Sequence, residues 1–356
     1  MFKTFKYRLL PSKSQASELL NQFELCRFLY NSALEERIGA WKKQRVSLNY
    51  YTQAVQLPEI KKVFPELNQV YSQVLQNVLQ KLDLSFKAFF KRHSKGVGFP
   101  RFKGKNRIKS ITYSQLPVNF LISLNTIRVP KIGDIHIKLH RQLPSKPKRM
   151  TVKCINGKWF VMFLCEIEVE PRLNAGPIIG LDAGFTHLLT DSNGRHYENF
   201  RFYKRFEQRL ARVQRRFSKS KTSKNLNSLH RTHDKITNSR LNSCHQLTKK
   251  LVDDYSLITI EDLNLTKIAV KLGKSTCDAA LGLIFFQLEY KAEEAGCRVV
   301  KVNPAYTSQL CSQCGQIKPK DLSVRWHSCD CGASLCRDHN AAINILTLGT
   351  QSLAKA

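Results

Sequence analysis

A chain of 356 residues is longer than one hydrophobic core usually organises, so two or three folded units are expected. Lysine and arginine number 58 against 27 acids, a net charge of +31, which argues against a partner of neutral or basic character and points to a polyanion, nucleic acid first of all. The longest apolar run, WFVMFLC at 159–165, is far too short to span a bilayer, and no apolar leader precedes a small-residue cleavage site; no membrane association and a cytoplasmic protein are therefore expected.

The opening FKTFKYRLLP alternates apolar and basic residues up to Pro11, the pattern of a strand exposed on one side. From Ser12, a residue able to cap, the period becomes helical through Leu19, Leu20, Phe23, Phe28, Leu29, Ala33 and Leu34. A second helix is expected after Pro65, where Val70, Val74, Val78, Leu82, Phe86 and Phe90 step by four and Gln69, Gln73, Gln76, Asn77 and Gln80 supply polar faces. Glutamine and asparagine at this density suit base edges, and suit an ordinary solvated surface as well. Residues 91–110 carry eight Lys/Arg and no acid, and their glycines and Pro100 break the helix. Alternation returns in IHIKLH at 135–140 and KWFVMFLCEIEV at 158–169, so residues 95–170 read as a small basic β-barrel or sheet. PRLNAGP at 171–177 interrupts it, and a boundary is expected near 171–176.

Beyond that boundary, IIGLDAGFTHLLTDSNGRHYE at 178–198 reads as two apolar strands joined around Asn193–Gly194. Two basic helices follow, with Phe206, Leu210, Val213 and Phe217 on one stripe and Leu229, Ile236, Leu247 and Leu251 on the other. Residues 201–250, which contain them, hold fifteen Lys/Arg against Glu207 and Asp234, a strip suited to a phosphate backbone. Next come a buried strand (SLITIEDL, 256–263), a helix from about 278 to 296, a strand (CRVVKV, 297–302), a cysteine-rich knuckle and a last helix from near 338. No repeat with a period of 20 to 50 residues is present.

Three acids stand at element ends in the second half: Asp182 in GLDAG, Glu261 in TIEDL and Asp338 in CRDHNAA. Taken singly, each has an ordinary structural reading as a turn residue or an ion-pair partner. Their order is more telling. A strand with Asp, a hairpin, a helical insertion, a strand ending in Glu and a helix opening with Asp is the layout of an RNase H-type nuclease. There three carboxylates share two divalent cations, about 4 Å apart, that drive phosphodiester displacement. Hard oxygen ligands favour Mg²⁺.

Five of the eleven cysteines fall between Cys311 and Cys336, a density that suits a metal site better than disulfides. Cys311 and Cys314 in CSQCG form one short pair, with Gly315 easing the turn; Cys329 and Cys331 in SCDCG form a second with one intervening residue where two are usual. The layout is that of a closed four-thiolate zinc site, with Cys336 or His327 as alternative fourth ligand. Cys26, Cys154, Cys165, Cys244, Cys277 and Cys297, scattered among apolar neighbours, read as core filler.

From end to end the chain resembles TnpB, the transposon-encoded OrfB family of RNA-guided DNA endonucleases related to type V CRISPR effectors. The resemblance rests on YRLLPSKSQ, CRFLYNSAL, SQVLQNVLQKLDLSFKAFF, GVGFPRFK, GLDAG, the His233-x-Lys235-x-x-Asn238-x-Arg240 helix, IEDLNL, QLEYKAEEAG, VNPAYTSQLCSQCG and CRDHNAAINIL in that order. It implies that Asp182, Glu261 and Asp338 are a RuvC-type catalytic triad holding two Mg²⁺, and that Cys311, Cys314, Cys329 and Cys331 hold one Zn²⁺. It implies a multidomain α/β fold: a β-barrel wedge domain at 1–11 and 93–172, a helical recognition domain at 12–92, a RuvC-like nuclease domain at 173–304 and 337–356, and the zinc knuckle at 305–336. The implied partners are a guide RNA from the transposon end and double-stranded target DNA next to a short flanking motif, bound by a monomer. Candidate nucleic-acid contacts are Gln73, Gln76, Asn77, Gln80, Ser110, Thr112 and Tyr113, with His233, Lys235, Asn238 and Arg240.

Two departures from the family pattern stand out: the shortened second cysteine pair, and Arg240-Leu241-Asn242 where R-x-D is usual. Cys336 occupies a position that is often acidic in the family and reads as a spectator, and His339 as a helix-surface or supporting residue. Two rival readings are a catalytically silent RNA-guided repressor, which the presence of all three acids disfavours, and a strand-transfer enzyme, which lacks any convincing Tyr–His nucleophile arrangement.

Overall fold

The structure, a computed structural model, describes residues 1–356 except 93–97, 118, 170–173, 266–267, 269–272, 274–277, 322 and 355–356. Cys277, the first residues of the 171–176 boundary and the middle of the 91–110 strip lie outside the described residues. Two compact units, Met1–Glu168 and Val169–Ala356, meet in sequence just before the expected boundary. Among the described residues no helix is long and apolar enough to cross a membrane.

In the first unit, strand β1 (Phe2–Leu10) buries Phe5, Tyr7 and Leu9 and leaves the intervening basic residues on the other face. Helix α1 (Lys13–Gln44) starts at a reciprocal cap, in which the Gln15 N–H donates to Ser12 Oγ and the Ser12 N–H to Gln15 Oε1. It ends where Arg45 turns left-handed at φ 57°. Two short helices, α2 (Tyr50–Val55) and α3 (Leu57–Val63), follow; six and seven residues are too few to establish an apolar period in the sequence. The helix expected directly after Pro65 starts later, because Pro65–Gln69 closes a 3₁₀ turn and Val70 is extended; α4 runs Ser72–Arg92.

The remaining strands are β2 (Ser110–Tyr113), β3 (Leu121–Ser123), β4 (Thr126–Val129), β5 (Gly133–Lys138), β6 (Arg149–Ile155) and β7 (Lys158–Glu166). They form one sheet in the order β2-β6-β7-β1-β5-β4-β3. Among the described residues the edge strands β2 and β3 do not pair, so the expected barrel is present as a seven-stranded sheet with two hydrogen-bonding ends. β1 lies inside it, antiparallel to β7 from Phe2↔Glu166 to Leu9↔Trp159 and to β5 on its other side. One continuous core joins sheet and helices, with Phe23, Leu34 and Leu82 packed into the same cluster as Val161 and Phe163. The helical stretch 12–92 is therefore an insertion between two strands of this sheet, without a separate core.

In the second unit β8 (Ile178–Ala183), β9 (His187–Asp191) and β10 (His196–Glu198) form a meander, three strands where the sequence reads as two. The extra reversal falls at Gly184–Thr186, which lacks a strong turn dipeptide. The later turn is held by the Asp191 carboxylate, which accepts the N–H groups of Asn193 and Arg195. Helices α5 (Phe202–Lys219) and α6 (Ser223–Asp254) form the expected basic pair; then come β11 (Leu257–Glu261), α7 (Leu281–Ala295), β12 (Arg298–Val302), the hairpin β13 (Trp326–Ser328) and β14 (Ser334–Cys336), and α8 (Arg337–Ala354). The main sheet has the order β10-β9-β8-β11-β12, with β8, β11 and β12 mutually parallel.

Alternation along the two central strands divides their faces. Ile179, Leu181, Ile258 and Ile260 join the core with Cys244 and Leu251 of α6 and Ile284 and Leu288 of α7. Gly180, Asp182, Thr259 and Glu261 take the other face, and α8 lies against it. The approach is too close for side chains at two places. A Cβ on Gly180 would sit 2.2 Å from the Ala342 carbonyl oxygen, and one on Gly349 would sit 2.3 Å from Thr259 Cγ2. Along α8 the residues at 338, 342, 345 and 349 share a face, so the contacts at Ala342 and Gly349 fix both the depth and the direction of the helix that carries Asp338. Gly180→Val is expected to lower the stability of this unit by about 3 kcal/mol or more, because rigid backbone cannot yield to the branched side chain; a urea denaturation curve measures it.

Candidate active site and cysteine metal centre

Asp182 and Glu261 each stand one residue past the last paired positions of adjacent parallel strands, Leu181↔Ile260, and therefore emerge side by side at the same end of the sheet. Asp338, in the first turn of α8, is brought over them by the contact of Ala342, one turn further on, with Gly180. Asp182 is partly open to solvent yet densely surrounded by protein. Burial and then the neighbouring carboxylates of Glu261 and Asp338 push its pKa from 3.8 up to about 8. Burial also raises Glu261, which is 8% exposed and accepts a hydrogen bond from the Thr307 hydroxyl. The guanidinium groups of Arg337 and Arg325 lie 3.6 and 4.0 Å from the Asp338 carboxylate. No cation lies within ion-pair distance of Asp182 or Glu261 among the described residues. The three acids are near enough for Glu261 and Asp338 to act on Asp182, with Arg337 partly offsetting them, but among the described residues only the cysteines bring three or more ligand atoms within 4.8 Å of one another. Carboxylate oxygens are the donor type that hard divalent cations take.

The four expected thiols also converge. Cys311, Cys314, Cys329 and Cys331 place their sulfurs within 4.8 Å of one another, with Cys311–Cys331 and Cys314–Cys329 both at 3.6 Å. A tetrahedral Zn²⁺ with Zn–S bonds of about 2.3 Å needs sulfurs roughly 3.8 Å apart, so the quartet fits that ion. The single residue between Cys329 and Cys331 is accommodated by a tight turn, in which Gly332 (φ 92°) donates its N–H to the Cys329 carbonyl. Cys336 sits in β14 opposite Trp326 and is outside the sulfur cluster, as is His327, whose ring is buried beside Lys320.

Two residues that went unremarked in the sequence bind this knuckle to the acids. Asn340 and Asn344, both buried on α8, hold the chain just before and within the first cysteine pair. Asn340 Nδ2 donates to the Leu310 carbonyl at 2.7 Å and its Oδ1 accepts the Ser312 N–H at 3.0 Å, while Asn344 Nδ2 donates to the Thr307 and Leu310 carbonyls at 2.9 and 2.7 Å. Thr307 in turn holds Glu261. The available signal was a pair of asparagines four residues apart in a helix that is otherwise apolar on that side. His339 proves more than a surface residue: its ring packs on Gly194, and its Nε2 lies 3.2 Å from the Ser192 carbonyl oxygen, fastening α8 to the β9–β10 turn.

Comparison with known proteins matches residues 162–271 to a family model described as "Probable transposase", residues 1–45 to a "Helix-turn-helix domain" and residues 282–345 to a "Cas12f1-like, TNB domain". A Streptomyces pristinaespiralis protein named "Putative RNA-guided DNA endonuclease" is 34% identical over 99% of this chain and 90% of its own length. Escherichia coli K12 "Putative RNA-guided DNA endonuclease InsQ" is 31% identical over 99% and 93%. This chain belongs to the TnpB (OrfB) family. The solved "Cryo-EM structure of the Cas12f1-sgRNA-target DNA complex" aligns over 97% of this chain and 99% of that one, at 16% identity and a TM-score of 0.36. In this TnpB-family chain the residues matched to a helix-turn-helix model form β1 and the uninterrupted α1.

The candidate nucleic-acid contacts divide on inspection of their burial. Tyr113 is wholly buried, and Asn77 and Thr112 are buried at 7% and 6% exposure, so in this structure the three pack the first unit rather than face solvent. Thr112 meets Lys81 and Thr151 there. Gln73 is engaged with Gln115 through both its amide nitrogen and its oxygen. Gln76, Gln80 and Ser110 reach the surface, as do His233, Lys235 and Asn238 on α6. Arg240 is committed instead to Asp278, whose carboxylate also accepts the N–H of Tyr203 at the start of α5.

The raised Asp182 pKa has a definite sign. The folded chain keeps this proton up to about pH 8 whereas the unfolded chain releases it near 3.8, so without metal the contribution of Asp182 to stability is lost as pH rises through that window. Asp182→Asn is therefore expected to raise the melting temperature of the metal-free chain at pH 8 and to leave it little changed at pH 4, as read by calorimetry. Asn344→Leu removes the donor to the buried Thr307 carbonyl and one of the two donors to the Leu310 carbonyl, and is expected to cost about 2 kcal/mol in urea denaturation of the protein with Zn²⁺ added.

Proposed function

We propose that this chain is an RNA-guided DNA endonuclease that cleaves double-stranded DNA beside a short flanking motif, using one RuvC-type site. The observation that supports the proposal is that Asp182 and Glu261, far apart in the chain, end adjacent parallel strands of a sheet ordered β10-β9-β8-β11-β12, with the charges of Glu261 and of Asp338 on α8 both felt at Asp182. That strand order, antiparallel for its first three members and parallel thereafter, is what an RNase H-like nuclease reading requires. The names of the long-range relatives point to the same activity.

In this reading Asp182, Glu261 and Asp338 hold two Mg²⁺ ions, whose chemistry when bound is to activate water and stabilise the leaving oxygen of the phosphodiester. The protein's own part is positional. Thr307 orients Glu261, Arg337 and Arg325 orient Asp338, and the α8–β8 contact sets the separation between Asp338 and Asp182. The four cysteines hold Zn²⁺ in a closed, structural role, and fixing 311–331 keeps the segment that carries Thr307 against α8. The guide is taken to be an RNA from the transposon end, bound with its target by the basic surfaces of a monomeric protein, and the wedge and recognition functions are assigned to the sheet and the inserted helices of the first unit.

With purified ribonucleoprotein, Asp182→Ala or Glu261→Ala is expected to reduce guided cleavage at least a thousandfold while leaving guided DNA binding within about twofold. Cleavage at the original rate in either variant refutes the site.

A further inference from the structure

The first unit contains a cavity of about 600 Å³ walled by Trp41, Phe86, Phe90 and Phe99, remote in sequence from the three acids and the four cysteines. Three of these rings are unusually open for their type: Trp41 is 52% exposed, Phe90 69% and Phe99 44%. An apolar surface of this kind concentrated around one concavity marks a binding site. The rings are held by one another, with Phe86 edge-on to Phe99 at 5.3 Å and face-to-face with Phe90 at 6.3 Å.

The cavity is not purely apolar. Arg37, 6% exposed, lines it, packs over the Phe86 ring, and donates to Gln53 and Asp83; its second amino group, Nη2, is buried without a hydrogen-bond partner. Arg37 thereby brings a guanidinium charge, shared with Asp83, to the cavity wall. The exposed Lys42 and Lys87 also line it, Lys87 in an ion pair with Asp83 at 2.9 Å, and the Arg45 guanidinium lies over the Trp41 ring. A fitting occupant thus has a flat apolar face, an acceptor on its edge and negative charge beside it. A second copy of this chain fits poorly, since it would bring another +31 charge against a basic rim.

We propose that this cavity takes an unstacked nucleobase of a single-stranded nucleic acid, sandwiched by the aromatic rings, hydrogen-bonded near Arg37 and flanked by phosphates on the lysines. Base–aromatic stacking on such platforms is sequence-tolerant, and this one serves RNA and DNA alike by chemistry. The proposal relies on the nuclease reading only for the class of ligand.

The test is tryptophan fluorescence of the full chain titrated with a short pyrimidine RNA, the same sequence in DNA, and an abasic strand of equal length. The chain has three tryptophans, so the Trp41 signal is the part missing in Trp41→Phe. Base-bearing strands are expected to quench Trp41 and the abasic strand not to, with Phe90→Ala raising the half-quenching concentration about tenfold. The RNA and DNA titrations show which strand supplies the base. Equal quenching by the abasic strand, no quenching by any strand, or no effect of Phe90→Ala overturns the proposal, as does a protein-concentration-dependent dimer abolished by Phe90→Ala, which gives the cavity to a second copy. Guided cleavage measured on the same preparation separates the two readings: cleavage without base-dependent quenching removes the pocket and leaves the nuclease, and quenching without cleavage does the reverse.

Discussion

The second unit depends on one steric fact: helix α8 touches the backbone of strand β8. A helix normally rides on a sheet with a layer of side chains between them, and that layer would leave Asp338 too far from Asp182 for shared ligands. Gly180 in the strand and Gly349 in the helix remove the layer at two points, and Ala342 keeps it thin between them. Side chains are absent where strand and helix meet and present at the strand ends, as Asp182 and Glu261. The same face of β8 and β11 that is pared to Gly180 and Thr259 ends two residues later in Asp182 and Glu261, so alternation along the strand couples packing to the acids.

Electrostatics acts in the opposite sense from the bulk charge. A chain with an excess of 31 positive charges keeps three carboxylates close enough for two of them to raise the pKa of the third, against the partial offset of Arg337. The asparagine pair on α8 extends this arrangement to the cysteine knuckle. Through Thr307 the same segment that precedes Cys311 also grips Glu261, so the cysteine cluster and one of the three acids are held by one stretch of backbone.

The sequence discloses these acids because their chemistry is tied to element ends, and strand-hairpin-helices-strand-helix is an order that periodicity and turn residues reveal. The four cysteines are legible for the same reason, their short pairing surviving the irregular spacing. Polar residues on amphipathic segments are harder. Asn77, Thr112 and Tyr113 look like surface readers by type, but the neighbouring sheet and helix cover them, and only tertiary contact decides that. Asn340 and Asn344 fail in the other direction: they look like ordinary helix polars, and their partners are carbonyls some thirty residues away. The short helices between 50 and 63, and the reversal at Gly184–Thr186, lack enough residues to carry a period.

The position of β1 has a consequence for how the molecule reaches this state. Its partners β5 and β7 begin at Gly133 and Lys158, so an interior strand of the seven-stranded sheet has both flanks unpaired until well over a hundred intervening residues have been gathered in. The inserted helices can form from nearby contacts during that interval, whereas the sheet must wait for ring closures of great length. Assembly of the first unit is accordingly limited by topology, and the basic residues that alternate with its buried ones, Lys6 and Arg8, guard an otherwise sticky ribbon while it waits.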